Sequence, residues 1–167
     1  PGAVDGWASL HARFGRLAWP QLFAPAIELA RAGTTVGPVT ARWWQRAVDD
    51  VQRDPATCGH VADFLACFAP GGRAPAAGER VTNAALADSL ALIAARGRAG
   101  FYEGGQAQRI VEAANAAGAA FCRDDLLRNH ADWVTPLSTN YHGVEVCALP
   151  PNGQGAAVLQ MLNILEG

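Results

Sequence analysis

The chain has no lysine, a single methionine, and only arginine as its 13 basic residues. Charged residues make up 17% of the 167, and acids and bases nearly cancel at a net charge of −2. The arginines are scattered rather than clustered, so there is no basic stripe to hold a nucleic acid or an anionic bilayer. No apolar run approaches the ~20 residues that a membrane-crossing helix needs. The cysteines, Cys58, Cys67, Cys122 and Cys147, do not amount to a disulfide scaffold in a chain this long. Position 1 is Pro, and no charged-then-apolar leader follows it, so the chain is expected to be a processed product or an excised fragment.

Several catalytic patterns are missing as well. Cys58-x-His60 with Cys67 has the residue types of a zinc site, but no second Cys-x-x-Cys or His-x-x-x-His pair completes a tetrahedral set. No Gly-Lys-Ser/Thr follows the glycines near the C-terminus, which excludes a phosphate-binding P-loop. Ser138, His142 and Asp132 supply the residue types of a triad without a nucleophile elbow. Thr34, Thr35 and Thr57 are internal, so no N-terminal amine adjoins their hydroxyls.

What the chain does have is apolar surface at helical spacing. Half of it is hydrophobic, enough for one sizeable core at the length of one domain. Trp7, Leu10, His11 and Phe14 share a helix face that Gly15 ends. Residues 21–33 read as a second helix, which Pro25 is expected to divide into a short first turn and a main body, with Gly33 as its stop. Thr34 to Pro38 reads as a linker. A third helix over 39–51 carries Trp43 and Trp44, at least one of which should be partly exposed. Val61, Phe64, Leu65 and Phe68 form a fourth apolar face. Thr82 is expected to cap a helix with Val81 and Leu86 as its hydrophobic staple, and Leu86, Leu90 and Ile93 as its buried stripe. Ile110 and Val111 lie on a further helix ending at Gly118. Phe121 and Leu126 clasp the last helix start of this region, where Asp124 and Asp125 favour the positive helix end.

After residue 130 the period changes. Trp133–Leu137 and Tyr141–Leu149 alternate as strands do, with Ser138-Thr139-Asn140 as the expected hairpin turn. Pro150-Pro151 stops the second strand, and Asn152-Gly153-Gln154-Gly155 makes a turn into a helix. That helix carries Val158, Leu159, Met161, Leu162, Ile164 and Leu165, apolar nearly all round, so it reads as buried. The amides of Asn152, Gly153, Gln154 and Gly155 are the candidate substrate-binding site, as an anion nest ahead of a helix; a purely structural turn is the other reading.

Pro150-Pro151-x-Gly153-x-Gly155 followed by Leu159-Gln160-Met161-Leu162-Asn163-Ile164-Leu165-Glu166 resembles the gamma-glutamyltranspeptidase family of N-terminal-nucleophile hydrolases. The resemblance runs along the chain in order: Pro1-Gly2-x-Val4-x-Gly6, Phe14-Gly15, Pro25-Ala26-Ile27-x-Leu29-Ala30, Phe101-Tyr102-x-Gly104 before Ile110-Val111, and Trp133-Val134-x-Pro136-Leu137 with Tyr141-x-Gly143. It implies a mainly α chain with a short β-hairpin near the C-terminus, the helical lobe of an αββα architecture. Residues 1–130 would be the lobe, and 131–167 the hairpin, the turn and a buried helix leading into the catalytic core. It further implies a zymogen that cleaves itself, exposing a threonine as the first residue of a small subunit. That threonine would attack a small gamma-glutamyl amide, with no cofactor, and pass the acyl group to water or an amine.

On this resemblance the nucleophile lies beyond Gly167 and the arginine that grips substrate lies before Pro1. The chain alone is then inert, and its partners are the remainder of the large subunit and the small subunit. Two departures stand out. Cys122 occupies a position where the family usually has threonine or serine, and Asn152-Gly153-Gln154-Gly155 replaces Ser-Ser-Gly-Gly, a change that leans toward acylase-like members. The alternative reading is an independent, non-catalytic interaction domain that uses the Trp43–Trp44 helix as its partner surface.

Overall fold

The computed structural model describes residues 2–167, the side chain of Thr57 excepted, so Pro1 lies outside the described residues. Helices α1 (Ala3–Phe14) and α2 (Trp19–Ala32) end at Gly15 and Gly33 as the glycines predict. Pro25, however, sits inside α2 and does not divide it. A proline in a helix interior forgoes one bond to the carbonyl four residues back, here that of Gln21. The turn ahead of it is held by other means. Ala18 N–H donates to Gln21 Oε1 at 3.3 Å, and the Trp19 indole N–H donates to the Ile93 carbonyl at 2.9 Å.

The expected linker contains a strand. β1 (Thr34–Thr35) pairs antiparallel with β2 (Arg80–Val81), Thr34 opposite Val81 and Thr35 opposite Arg80. This pairing moves the next helix start. Val81 is used by the ribbon, and Asn83 rather than Thr82 caps α5 (Ala84–Arg96), its Oδ1 accepting from Leu86 N–H at 2.9 Å. Leu86 is 48% exposed and so lies outside the buried stripe, and with Asn83 as the cap Val81 and Leu86 no longer stand at the staple positions. Between the two strands lie α3 (Pro38–Arg53), a 3-10 turn (Pro55–Thr57) and α4 (Val61–Phe68). After α5 come α6 (Ala99–Tyr102), α7 (Gly104–Ala116) and α8 (Arg123–Arg128).

Two separate hydrophobic clusters follow from this order. The main one joins Val4, Phe23, Ile93, Ala94, Tyr102, Ala107, Val111 and Leu126. Phe121 packs against it and Leu126 is fully buried, as the clasp around α8 requires. The second is small, Val48, Ala69 and Ala74, with Trp44, Phe64 and Leu65 against it. Trp44 is half-buried, and Trp43 beside it is 58% exposed. On α1 the buried residues are Val4 and Asp5, while the face with Trp7, Leu10 and Phe14 opens to solvent along a groove shared with Trp19 and Leu22.

The chain separates into two compact units, Pro1–His130 and Ala131–Gly167. The second holds β3 (Leu137–Tyr141), β4 (Val144–Ala148) and α9 (Gly155–Glu166). Ser138, Thr139 and Asn140 are paired residues of β3, and the hairpin turn is His142–Gly143 instead. Both turn residues have positive φ, 50° and 80°, which a tight two-residue hairpin loop demands. Asn140 Oδ1 accepts from Gly143 N–H at 2.9 Å and secures the turn. Pro136 has no N–H for a ladder, so pairing begins at Leu137 rather than Trp133.

The helix α9 forms where expected but is not buried. Leu159 is its one buried residue, while Val158, Met161, Ile164 and Leu165 are 42%, 56%, 78% and 70% exposed. A two-stranded ribbon covers one strip of a helix, and this helix is apolar on more than one. The fold is therefore mainly α with a short C-terminal hairpin, plus a second two-residue pairing inside the helical region.

Candidate functional site

The loop Asn152–Gly155 is fixed by the elements on either side. Gly155 is the first residue of α9, and a Cβ there would stand 2.7 Å from Ala148 Cβ and 2.7 Å from the Leu149 carbonyl oxygen. The helix start can approach the end of β4 this closely only because residue 155 has no side chain. Gly153 faces open space. Gln154 precedes the helix at φ −86°, ψ 4°, and its carbonyl accepts from Val158 N–H at 3.1 Å. The amides of Gly155, Ala156 and Ala157 lie ahead of that bond, so they have no partner within the helix. Asn152, Gly153 and Gln154 are exposed and Gly155 is half-buried. The C-terminal part of α9 is tied back to the hairpin, Thr139 Oγ1 bonding Asn163 Oδ1 and His142 N–H donating to Glu166 Oε1 at 3.0 Å.

This arrangement offers neutral donors and a helix's positive end, with two carboxamides. It can orient an anion or a carbonyl, but holds no nucleophile and no base. The other sequence candidates do not converge. Ser138 and His142 lie four residues apart along one strand and its turn, about 13 Å in extended chain. Thr34 and Thr35 are strand residues of β1. Asp124 pairs with Arg128 at the surface at 3.4 Å, and Asp125 Oδ2 accepts from the backbone N–H of Cys122 at 2.8 Å. That hydrogen bond, with the Cys122 side chain adding to it, holds the Asp125 carboxyl below its ordinary range. Cys58 is half-buried and Cys67 exposed, and among the described residues no three His, Cys, Asp or Glu gather as a metal site.

A polar cluster of a different kind lies in the first unit. Arg98 Nε bonds Asp5 Oδ1, and its Nη2 donates to the Leu127 carbonyl at 3.3 Å and to that of Asn129. The guanidinium carbon sits 4.5 Å from the centre of the Tyr102 ring. The Tyr102 hydroxyl oxygen accepts from Asp5 N–H at 3.2 Å and from Asn129 Nδ2 at 3.3 Å. Burial raises the Tyr102 phenol above its ordinary value and the Asp5 charge adds to this, while the Asp5 N–H and Arg98 pull the other way. The cluster ties the start of α1 to α6 and to the end of α8. Asp5 and Arg98 are 93 residues apart, and no spacing in the sequence joins them. The Phe101-Tyr102 pair is the one local signal that fell on the cluster.

The family model described as gamma-glutamyltranspeptidase matches residues 1–167. The chain is 39% identical over 166 residues to the glutathione hydrolase-like YwrD proenzyme of Bacillus subtilis, covering 99% of this chain and 30% of that protein. It is 34% identical to the acylase ACY 1 proenzyme of a Pseudomonas species, strain SE83, over 100% of this chain and 29% of that protein. Among solved structures, cephalosporin acylase from Bacillus halodurans superposes with a TM-score of 0.89 at 37% identity, over 100% of this chain and 31% of that one. The chain thus spans about 30% of the length of the curated relatives it matches.

Proposed function

This chain belongs to the gamma-glutamyltranspeptidase family, and we propose on that footing that it is the helical lobe and connecting seam of an N-terminal-nucleophile amidohydrolase. The parent protein cleaves a gamma-glutamyl amide. A threonine hydroxyl outside this chain attacks the amide carbonyl and gives its proton to the threonine's own amine. Backbone donors hold the oxyanion, the C–N bond breaks and the leaving amine takes the proton. Water or an acceptor amine then attacks the acyl ester and frees the hydroxyl. The observation that carries this reading is the unbroken family match across all 167 residues. An amide of the acylase type is the second donor class, supported by the acylase and cephalosporin acylase relatives and by the Asn152-Gly153-Gln154-Gly155 form of the loop.

Within that enzyme the chain supplies position rather than chemistry. Gly155 lets α9 start against the end of β4, and the exposed apolar face of α9 docks on the remainder of the large subunit and on the small subunit. The free amides of residues 155–157, with Asn152 and Gln154, face the acyl donor.

Release of p-nitroaniline from gamma-glutamyl-p-nitroanilide tests the assignment. The processed full-length parent should turn the anilide over and residues 1–167 alone should not; turnover by the isolated chain would overturn it. Gln154→Ala in the parent is expected to raise KM severalfold with kcat little changed. An unchanged KM would reduce the loop to a turn that only aims α9.

A further inference from the structure

We infer that residues 36–79 form a hinged flap, a small body with its own core that swings on the β1–β2 ribbon. This inference is independent of the proposed reaction. The flap is closed on itself. Val48, Ala69 and Ala74 are 0%, 3% and 2% exposed and make a cluster distinct from the main core. The Trp44 indole N–H donates to the Phe68 carbonyl at 2.7 Å, with the two rings edge to face at 6.1 Å. Gln52 Nε2 donates to the Gly72 carbonyl at 3.3 Å. Arg73 grips Glu79 with two parallel bonds of 3.0 and 2.7 Å, and Glu79 Oε2 also accepts from Ala76 N–H at 2.9 Å. Each of these bonds ends within the flap.

The root is narrow and well fixed. Beyond the two paired residues of each strand, Val36 N–H donates to the Glu79 carbonyl at 2.8 Å and Gly78 N–H to the Val36 carbonyl at 2.9 Å. Arg80 Nη1 donates to the carbonyls of Ala32 and Gly33 at 3.2 and 2.8 Å, pinning the ribbon to the end of α2. Gly33, at φ 84°, lets the chain pass so close that a Cβ would stand 2.9 Å from Arg80, Thr82 and the Val81 carbonyl. Gly78, at φ 88° and in open space, marks the flap side of the same root.

Open clefts lie between flap and main body. An open cleft of about 460 Å³ is lined by Thr40 and Trp44 of the flap and by Leu29, Ala30 and Leu86 of the main body. Another of about 490 Å³ opens between Trp44, Phe68 and Arg73 of the flap and Arg80 and Thr82 of the ribbon. Open clefts beside a root of two paired residues per strand leave room for a swing, and the bonds that close within residues 36–79 hold the flap together.

Pulsed electron-electron resonance on the full-length protein tests this, with the native cysteines replaced by serine and spin labels on exposed sites. The pair Gln45→Cys with Ala85→Cys spans flap and body. Gln45→Cys with Ala66→Cys lies within the flap, and Glu28→Cys with Ala85→Cys within the body. The spanning pair is expected to give a distance distribution about twice as broad as either internal pair. A spanning distribution as narrow as the internal ones overturns the hinge. A flap-internal distribution as broad as the spanning one overturns it too, because the segment would then be loose throughout.

Discussion

Leu126 in the mostly charged helix α8 and Ile164 in the mostly apolar helix α9 are similar side chains, yet the first is fully buried and the second 78% exposed. The difference lies in the opposing surface. In the first unit α1, α2, α5, α6, α7 and α8 all contribute to one cluster, so each apolar stripe meets several others. In the second, α9 meets only a two-stranded ribbon, which accounts for Leu159 and leaves the rest. Apolar periodicity reports how much a segment can bury, and the neighbours decide how much it does. The contrast is easily broken. Leu126→Ala should cost about 3 kcal/mol in urea unfolding of residues 1–167, whereas Ile164→Ala should stay within about 0.5 kcal/mol. Equal costs would show that α9 finds cover within this chain. In the parent protein, where the proposed seam docks through α9, the Ile164→Ala cost should rise toward that of a core truncation.

The Asp5–Arg98–Tyr102 cluster sharpens the comparison from the polar side, since Asp5, the buried charged residue among those described, lies in the first unit. The Asp5 side chain is 10% exposed and that of Arg98 31%. Breaking a buried pair costs about 3–5 kcal/mol, and partial exposure of Arg98 brings Arg98→Met to about 2 kcal/mol. Arg98→Lys should recover less than half, because one ammonium cannot reach Asp5, Leu127 and Asn129 together. Tyr102→Phe removes an acceptor from two donors and should cost about 1 kcal/mol. It also changes the alkaline limb. With its folded pKa raised, Tyr102 contributes stability below the ordinary tyrosine pKa of about 10, and that contribution fades as pH rises through the higher folded value. Urea midpoints followed upward from neutral pH should fall less steeply in Tyr102→Phe than in the parent sequence; parallel limbs would exclude the phenol as the cause.

How much of this could be read in the sequence depends on the distance over which each feature is decided. Local features were legible: Gly15, Gly33 and Gly118 end helices, and Phe121 and Leu126 sit around the start of α8. Features set by distant partners were not. Thr34-Thr35 reads as a linker until Arg80-Val81 arrives 45 residues later, and that pairing then takes Val81 and passes the cap from Thr82 to Asn83. The hairpin turn was misplaced because Ser-Thr-Asn is polar, whereas His142-Gly143 has the backbone freedom a two-residue loop needs. The candidate loop was located from its glycines, but the reason for Gly155, the approach to Ala148 and Leu149, is a tertiary fact. Arg98 gave no signal at all, since its partners lie 93, 29 and 31 residues away.

The smallest expected effects lie in the exposed first turn of α8, within the first unit. Asp125 accepts the Cys122 N–H, and its folded pKa is lowered, so the stability it gives is present above the ordinary aspartate pKa of about 3.9 and is lost as pH falls through the lower folded value. Asp125→Asn should therefore make the acid limb of urea unfolding shallower, with a small loss of stability at neutral pH that disappears as pH falls. Cys122 is the complementary half of this cap, and a thiol is a weak acceptor where a hydroxyl is a strong one. Cys122→Ser should stabilise the chain by about 0.5 kcal/mol, and the gain should vanish in the Asp125→Asn background if the two residues act as a reciprocal box. A gain that survives Asp125→Asn unchanged would place the benefit in the removal of an exposed thiol instead of in the cap.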